Sequence, residues 1–262
     1  MNILMVGDIV GSPGRTAFDA LVPVLKERGD ADFIVVNAEN AAGGRGLTPP
    51  LAEALFRAGA DVLTLGDHTW DRKELRGYLN SEKRVLRPLN FRPGCPGHGV
   101  VTLDTAWGAI TVVSLIGRVF MAAYDCPFRA MDGLLAEPNG LGRIVLVDLH
   151  AEATSEKVTM GRYLDGRVTC MAGSHTHVQT SDEKVLPGGT AYITDLGATG
   201  AADSALGRDI DQVTGMFLTG MPSHFKVAKH DPVLEGVVVE VNRESGRAQG
   251  IRRIRERPGA DT

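Results

Sequence analysis

The chain of 262 residues has only three cysteines, Cys95, Cys126 and Cys170, and no Cys-x-x-Cys pair. An odd number excludes a complete intrachain disulfide framework and suits a reducing compartment. No stretch reaches the ~18 to 20 apolar residues that a membrane span needs. The first apolar run has no Lys or Arg ahead of it and is interrupted by Asp8, so it reads as a β-strand rather than a signal peptide. A cytoplasmic protein with no membrane association is the expectation. Excess positive charge is also missing: the net charge is −4, which argues against a stable nucleic-acid complex. It leaves room for a small phosphorylated ligand, because bound cations reverse the local field. There is no Gly-x-Ser-x-Gly elbow of a serine hydrolase. Gly7, Gly11 and Gly14 do not have the spacing of a dinucleotide-binding Gly-x-Gly-x-x-Gly turn.

What remains is an ordinary globular composition, 43% hydrophobic and 23% charged, long enough to bury a large core. Strand-like runs alternate with helical patterns, which implies an α/β fold with a largely parallel sheet. After Asp8 comes a Gly-rich turn, Gly11-Ser-Pro-Gly14, and then a helix from Arg15 to about Arg28. Pro49-Pro50 opens a second helix and Gly59 closes it, as Pro and Gly do at the two ends. Asp71 and Glu74 have the spacing of a capping box, and Thr154-Ser155-Glu156 similarly starts a helix running to about Leu164. Residues 87–99 read as a loop, Val100–Leu103 and Ala109–Leu115 as a hairpin. Ala191–Thr194 and Leu234–Val241 read as strands, Asp209–Leu218 as a helix, and the residues from Ile251 as frayed or an edge element. With no repeat, low-complexity tract or long linker, residues 1–262 are expected to form a single domain, two-layered or sandwich-like.

Five of the strand-like runs end in metal-ligand side chains. They are Ile3–Gly7 before Asp8, Phe33–Ala38 before Glu39-Asn40, Val62–Gly66 before Asp67-His68, Ile144–Leu149 before His150, and Val168–Ser174 before His175-Thr-His177. Ligands of open α/β sheets bind outside the carboxyl ends of the strands, so the five endings together describe a polynuclear metal site. Each has a plainer reading: Asp8 as a helix cap, Glu39 in a structural salt bridge, the histidines as core residues satisfied by hydrogen bonds. His150 alone is evenly balanced between the two. His175-Thr-His177 is the most specific signal, since two imidazoles one residue apart can reach adjacent positions around a metal pair. Asp67-His68 suits one ligand and one general acid. Trp70 and Asp71 read as packing and capping, His98, His224 and His230 as surface residues, and Cys170 as a small buried hydrophobe.

Read in order, these residues resemble the calcineurin-like metallophosphoesterase superfamily, and more closely the YmdB-like bacterial phosphodiesterases. The similar stretches are Gly7-Asp8-Ile-Val-Gly11, Glu39-Asn40-Ala-Ala-Gly-Gly, Gly66-Asp67-His68-Thr-Trp-Asp71, Arg87-Pro-Leu-Asn90, Asp148 to Lys157, Gly173 to Val178 and Thr194-Asp-Leu-Gly197. The resemblance implies an α/β metallophosphoesterase sandwich of mixed, largely parallel sheets flanked by helices. It implies two divalent or trivalent ions, Fe or Mn, one held by Asp8, Glu39 and His177 and the other by Glu39, Asp67, His150 and His175. Glu39 would bridge, Asn40 would lie beside the first ion and His68 would act near the leaving group. The implied substrate is a small phosphodiester, a 2′,3′-cyclic nucleotide. A homo-oligomer is compatible with all of this.

One position departs from the family pattern: Asn is expected before His68 and Asp67 is found. An added carboxylate should tighten metal binding and lower Lewis acidity, giving a less active site or a different metal preference. Ala38 and Ser174 are milder departures. Two metals ~3.5 to 4 Å apart can hold a bridging hydroxide and clamp phosphoryl oxygens, and Arg15 near the first helical turn could assist phosphate. The rivals are a barrel-type amidohydrolase, disfavoured because its His-x-His belongs to the first strand, and a nonenzymatic regulator that keeps the phosphate pocket with Asp67 marking a decayed site.

Overall fold

The computed structural model describes residues 1–137 and 140–259. Along the chain run β1 (Asn2–Val6), β2 (Asp8–Ile9), α1 (Gly11–Glu27), β3 (Phe33–Asn37), α2 (Pro49–Ala58), β4 (Val62–Thr64), α3 (Leu75–Ser81), β5 (Val85–Leu86), β6 (Val100–Thr105) and β7 (Gly108–Ile116). They continue with α4 (Pro127–Ala136), β8 (Ile144–His150), α5 (Thr154–Tyr163), β9 (Cys170–Ser174), β10 (Lys184–Val185), β11 (Ala191–Ile193), β12 (Ala198–Ala201), α6 (Ile210–Thr219), β13 (Pro232–Val241) and β14 (Ala248–Glu256). One sheet has the order β2-β12-β13-β1-β3-β4-β5, with β14 added to β13; the other has the order β10-β11-β9-β8-β7-β6. β1, β3, β4 and β5 are mutually parallel, as are β7, β8, β9 and β11, while β13, β14, β6 and β10 add antiparallel pairs.

The alternation of side chains along a strand explains the layering. On β1, Ile3 and Met5 point into an apolar layer shared with Phe33 and Val35 of the same sheet and with Ile110, Leu146 and Ala172 of the other. Leu4 and Val6 point the opposite way, against Phe18, Leu21, Val22 and Leu25 of α1 and Leu55 of α2. A third apolar layer joins Val113, Val147 and Met171 to Met131 of α4 and Met160 of α5. The result is a helix-sheet-sheet-helix sandwich, the expected class. Strands covered on both faces are read as near-continuous apolar runs, which is how β3 and β8 are written. Cys170 lies in the layer between the sheets, fully buried, and burial pushes its thiol up to about 12.

The sequence misplaced several local features. α1 begins at Gly11, so Gly11–Gly14 is its first turn and not a separate loop; the Gly11 amide donates to the Asn40 carbonyl at 3.0 Å. The capping boxes do not form. α3 starts at Leu75 without a side-chain cap, and Asp71 instead pairs with Arg45 at 2.9 Å. α5 starts at Thr154 as expected, but Glu156 turns to the amide of Arg118 at 3.0 Å. Of the two readings for the segment from Ile251, the edge element is the one found: it belongs to β14, which pairs with β13 alone among the described residues, in register from Leu234↔Glu256 onward.

Candidate metal centre

All the singled-out site residues arrive at one end of the sandwich, the carboxyl end of the parallel strands. Asp8 follows β1 at a change of neighbours. The Gly7 amide still donates to Glu235 of β13 at 2.9 Å, and one residue later the Asp8 amide donates to Gly197 at 3.2 Å. β12 is inserted there between β2 and β13. A Cβ at residue 7 would collide with the Gly197 carbonyl oxygen, so glycine is required for the switch that delivers Asp8. Glu39-Asn40 follows β3 and Asp67-His68 follows β4. His150 ends β8, and His175 and His177 follow β9. Gly66 has a similar duty, since a Cβ there would overlap the His150 ring.

The donor atoms converge. His150 Nε2 lies 3.0 Å from Glu39 Oε1, 3.0 Å from Asp67 Oδ1 and 2.9 Å from His175 Nδ1. Glu39, Asp67, His150 and His175 each present one ligand atom within 4.8 Å of the others. Beside them, His177 Nε2 stands 3.7 Å from Asp8 Oδ1, and Asn40 Nδ2 lies 3.3 Å from His177 Nε2 and 3.4 Å from Glu39 Oε1. Glu39 therefore touches both groups. Asp8 and Glu39 are buried, and two carboxylates in so small a dry space need positive charge.

The proton affinities record that need. Burial pushes the Asp8 carboxyl up, but the hydrogen bond and charge of His177 and the charge of His150 prevail and hold it well below the ordinary range. Burial likewise opposes, and the His150 hydrogen bond and charge overcome, in lowering Asp67. His150 is driven well above the usual imidazole value despite its burial, chiefly by the Glu39 charge and the Asp67 hydrogen bond. Burial, followed by repulsion from His150, lowers His175. The cluster thus concentrates negative charge around His150, a ring whose Nε2 faces two carboxylates and a second imidazole. A metal ion supplies the opposing positive charge, and the mixed carboxylate and imidazole donor set fits one.

Each imidazole is aimed by its other nitrogen. His177 Nδ1 donates to the Leu206 carbonyl at 3.1 Å, leaving Nε2 toward Asp8. His175 Nε2 meets Glu152 at 3.2 Å, leaving Nδ1 toward the cluster. His150 Nδ1 meets Ser174 Oγ at 3.1 Å, and Ser174 donates onward to Asp148 at 2.7 Å. Such outer partners fix tautomer and ring orientation in metal sites. The backbone at His175 and His177 is left-handed, with φ of 97° and 60°, a conformation that must be enforced by its surroundings. Several groups brace the turn: Asp8 accepts the His175 amide at 3.1 Å, and Asp195 accepts from the Thr176 amide at 3.2 Å and hydroxyl at 2.7 Å and is paired with the fully buried Lys157 at 2.6 Å.

The description of the YmdB-like protein family matches residues 4–254. The chain belongs to the YmdB-like family. It is 43% identical over 254 residues to the 2′,3′-cyclic-nucleotide 2′-phosphodiesterase of Bacillus subtilis, covering 97% of this chain and 96% of that protein. The crystal structure of a hypothetical protein from Thermus thermophilus superposes with a TM-score of 0.92 at 39% identity, covering 98% of this chain and all of that one. The crystal structure of a novel phosphatase from Mycoplasma pneumoniae gives 0.92 at 32% identity, with 98% and 93% covered. A Haemophilus influenzae NAD nucleotidase shares the fold, with a TM-score of 0.63 at 11% identity.

In this YmdB-like chain His68 lies at the rim, its Nδ1 3.3 Å from Asp71 and its amide 3.0 Å from Glu39 Oε2. It lines a cleft of about 540 Å³ together with Glu39, Asn40, His175 and His177. Arg15 does not reach this cleft: its guanidinium donates to the Ala41 carbonyl and so braces the chain just past Asn40. His98, His224 and His230 are exposed, as expected. Trp70 packs on the α1-side core and near Phe91. Sequence reasoning missed Asn37, Thr64, Asp148 and Ser174, a buried polar group that meets behind His150. Thr64 and Asp148 sit on strands shortly before the ligand positions Asp67 and His150, in β runs otherwise apolar, and that irregularity was the available signal. It also missed Lys157 and Asp195, whose partnership no sequence spacing reveals.

Proposed function

We propose that this protein is a metal-dependent phosphoric diester hydrolase acting on 2′,3′-cyclic nucleotides, with the whole chain working as one domain. The observation that carries the reading is the convergence of Glu39, Asp67, His150 and His175 beside Asp8, Asn40 and His177, at the floor of a cleft. The B. subtilis relative named as a 2′,3′-cyclic-nucleotide 2′-phosphodiesterase supports the substrate class. Asp67, His150, His175 and Glu39 would hold one ion and Asp8, Glu39 and His177 the other, with Asn40 beside it; Fe or Mn suits these donors. When bound, the ions supply Lewis acidity toward the phosphoryl oxygens and a nucleophile at neutral pH.

The chain's own groups do the rest. Glu39 Oε2 accepts the His68 amide, which ties the leaving-group side to the metal floor. Asp71 Oδ2 lies 3.3 Å from His68 Nδ1, which leaves Nε2 as the ring nitrogen free to meet substrate. It donates a proton to the departing oxygen, a role worth typically 10²- to 10⁴-fold. Asp67 Oδ1 points at His150 and His175, 3.0 and 3.5 Å away, which supports a working ligand over a decayed site.

The test is elemental analysis joined to turnover of bis(p-nitrophenyl) phosphate and of 2′,3′-cyclic nucleotides by wild type, Asp67→Asn and His68→Ala. Wild type carries Fe or Mn and hydrolyses both. His68→Ala keeps its metal and loses about 10²-fold or more in kcat. Asp67→Asn holds metal less tightly and turns over faster. Activity that survives complete removal of metal overturns the reading.

A further inference from the structure

The cleft over the metal floor has a second wall that the hydrolytic chemistry does not use. It is formed by Val213, Met216 and Phe217 of α6, with Leu206 before the helix and Phe225 after it. Positions 213, 216 and 217 lie on one helical face. An amphipathic helix ordinarily turns such a face into a core, yet α6 contributes no buried residue at all. Phe217 is 78% exposed. The helix is held by polar contacts at its base. The Asp209 side chain caps the Gln212 amide at 3.0 Å, the Gln212 side chain accepts from the Lys226 amide at 2.8 Å, and the Asp209 amide donates to Lys226 at 3.0 Å. Its apolar face is therefore presented to the cleft, with Val213 and Met216 half-buried and Phe217 largely uncovered among the described residues.

Between wall and floor stands Arg208, which also lines the cleft. Its guanidinium donates to a carbonyl, Gly44 O at 2.6 Å, so the contact does not cancel its charge. From floor to wall the cleft thus offers metal-ligand groups, one cation and then an aromatic and thioether surface with no hydrogen-bonding side chain. That sequence matches a ligand with a phosphate at one end and a flat, weakly polar ring system at the other.

We propose that the α6 face is a nucleobase platform, on which Phe217 and Phe225, filled in by Met216, stack the base of a nucleotide whose phosphodiester sits at the metal floor with Arg208 on its flank. The inference rests on the phosphodiesterase reading and adds how the substrate is selected. Aromatic stacking accepts every base through its π face. The platform lacks groups to read base edges, so purine and pyrimidine nucleotides are both taken and larger rings are favoured.

The experiment compares 2′,3′-cyclic AMP with ethylene phosphate, a cyclic diester of the same ring type without a nucleoside, using manganese-loaded full-length protein. In wild type the nucleotide has the lower KM by about tenfold or more, the range of one stacked base. Phe217→Ala and Phe225→Ala each shrink that ratio of KM values by about fivefold or more, while Phe217→Trp, which keeps an aromatic face, retains it. Wild type that turns over neither diester overturns the phosphodiesterase reading and the platform with it. Wild type that turns over both, with a KM ratio untouched by the two alanine variants, overturns the platform alone. An equal loss toward both diesters also overturns it, because it marks damage to the floor rather than to base binding.

Discussion

The metal floor and the α6 wall face each other across one cleft and are supported in opposite ways. The floor packs charged groups closely, with Asp8, Glu39 and His150 buried and each ring held at its second nitrogen by a polar neighbour. The wall buries nothing and is anchored by a helix cap and a few backbone contacts. Stability within a fold is uneven, and segments with few buried contacts open most readily. Here the rigid side is where charges must converge to a fraction of an ångström, and the lightly held side is where a ring of variable size would have to be accommodated.

That contrast can be broken most sharply beneath the floor. Lys157→Met leaves Asp195 buried without its partner, and it should cost about 3–5 kcal/mol in urea unfolding; a loss under about 1 kcal/mol would show that the His-Thr-His turn does not depend on this pair. Next, Ser174→Ala removes the link between His150 and Asp148. Metal affinity, followed by competition with a chelating dye, should fall about 10- to 100-fold, whereas unchanged affinity would mean that Asn37, 3.3 Å from His150 Nδ1, and packing suffice to aim the ring. The smallest effect belongs to the wall. Leu218, 81% exposed, should tolerate serine with a stability change within about 0.5 kcal/mol, and a larger loss would reveal packing of α6 that the contrast denies.

The same contrast governs what could be read beforehand. The convergence of these side chains at strand ends was legible because apolar runs on β1, β3, β4, β8 and β9 stop abruptly at carboxylates and imidazoles. The sandwich followed from the same runs, since strands so uniformly apolar must be covered on both faces. Asp71 was misread because its spacing to Glu74 suits a helix cap, while the tertiary structure offers it Arg45 and His68 instead. Lys157 was invisible: a lysine in a polar helix reads as solvated, and only the fold brings it to Asp195, 38 residues away. β12 was missed because Ala-Thr-Gly-Ala has neither strand propensity nor alternation, and its pairing depends on the neighbour switch at Gly7.

The donor set is drawn from both halves of the sandwich. Asp8, Glu39 and Asp67 follow strands of one sheet, and His150, His175 and His177 belong to the other. An ion bound among them is then a rivet between the sheets, and it can form only after residues as far apart as Asp8 and His175, already joined by an amide hydrogen bond at 3.1 Å, have met. Binding restricted to the folded chain adds about 2.7 kcal/mol when free metal stands at about a hundred times its dissociation constant. With an ion bound there, the melting temperature would become a reading of the metal around the protein.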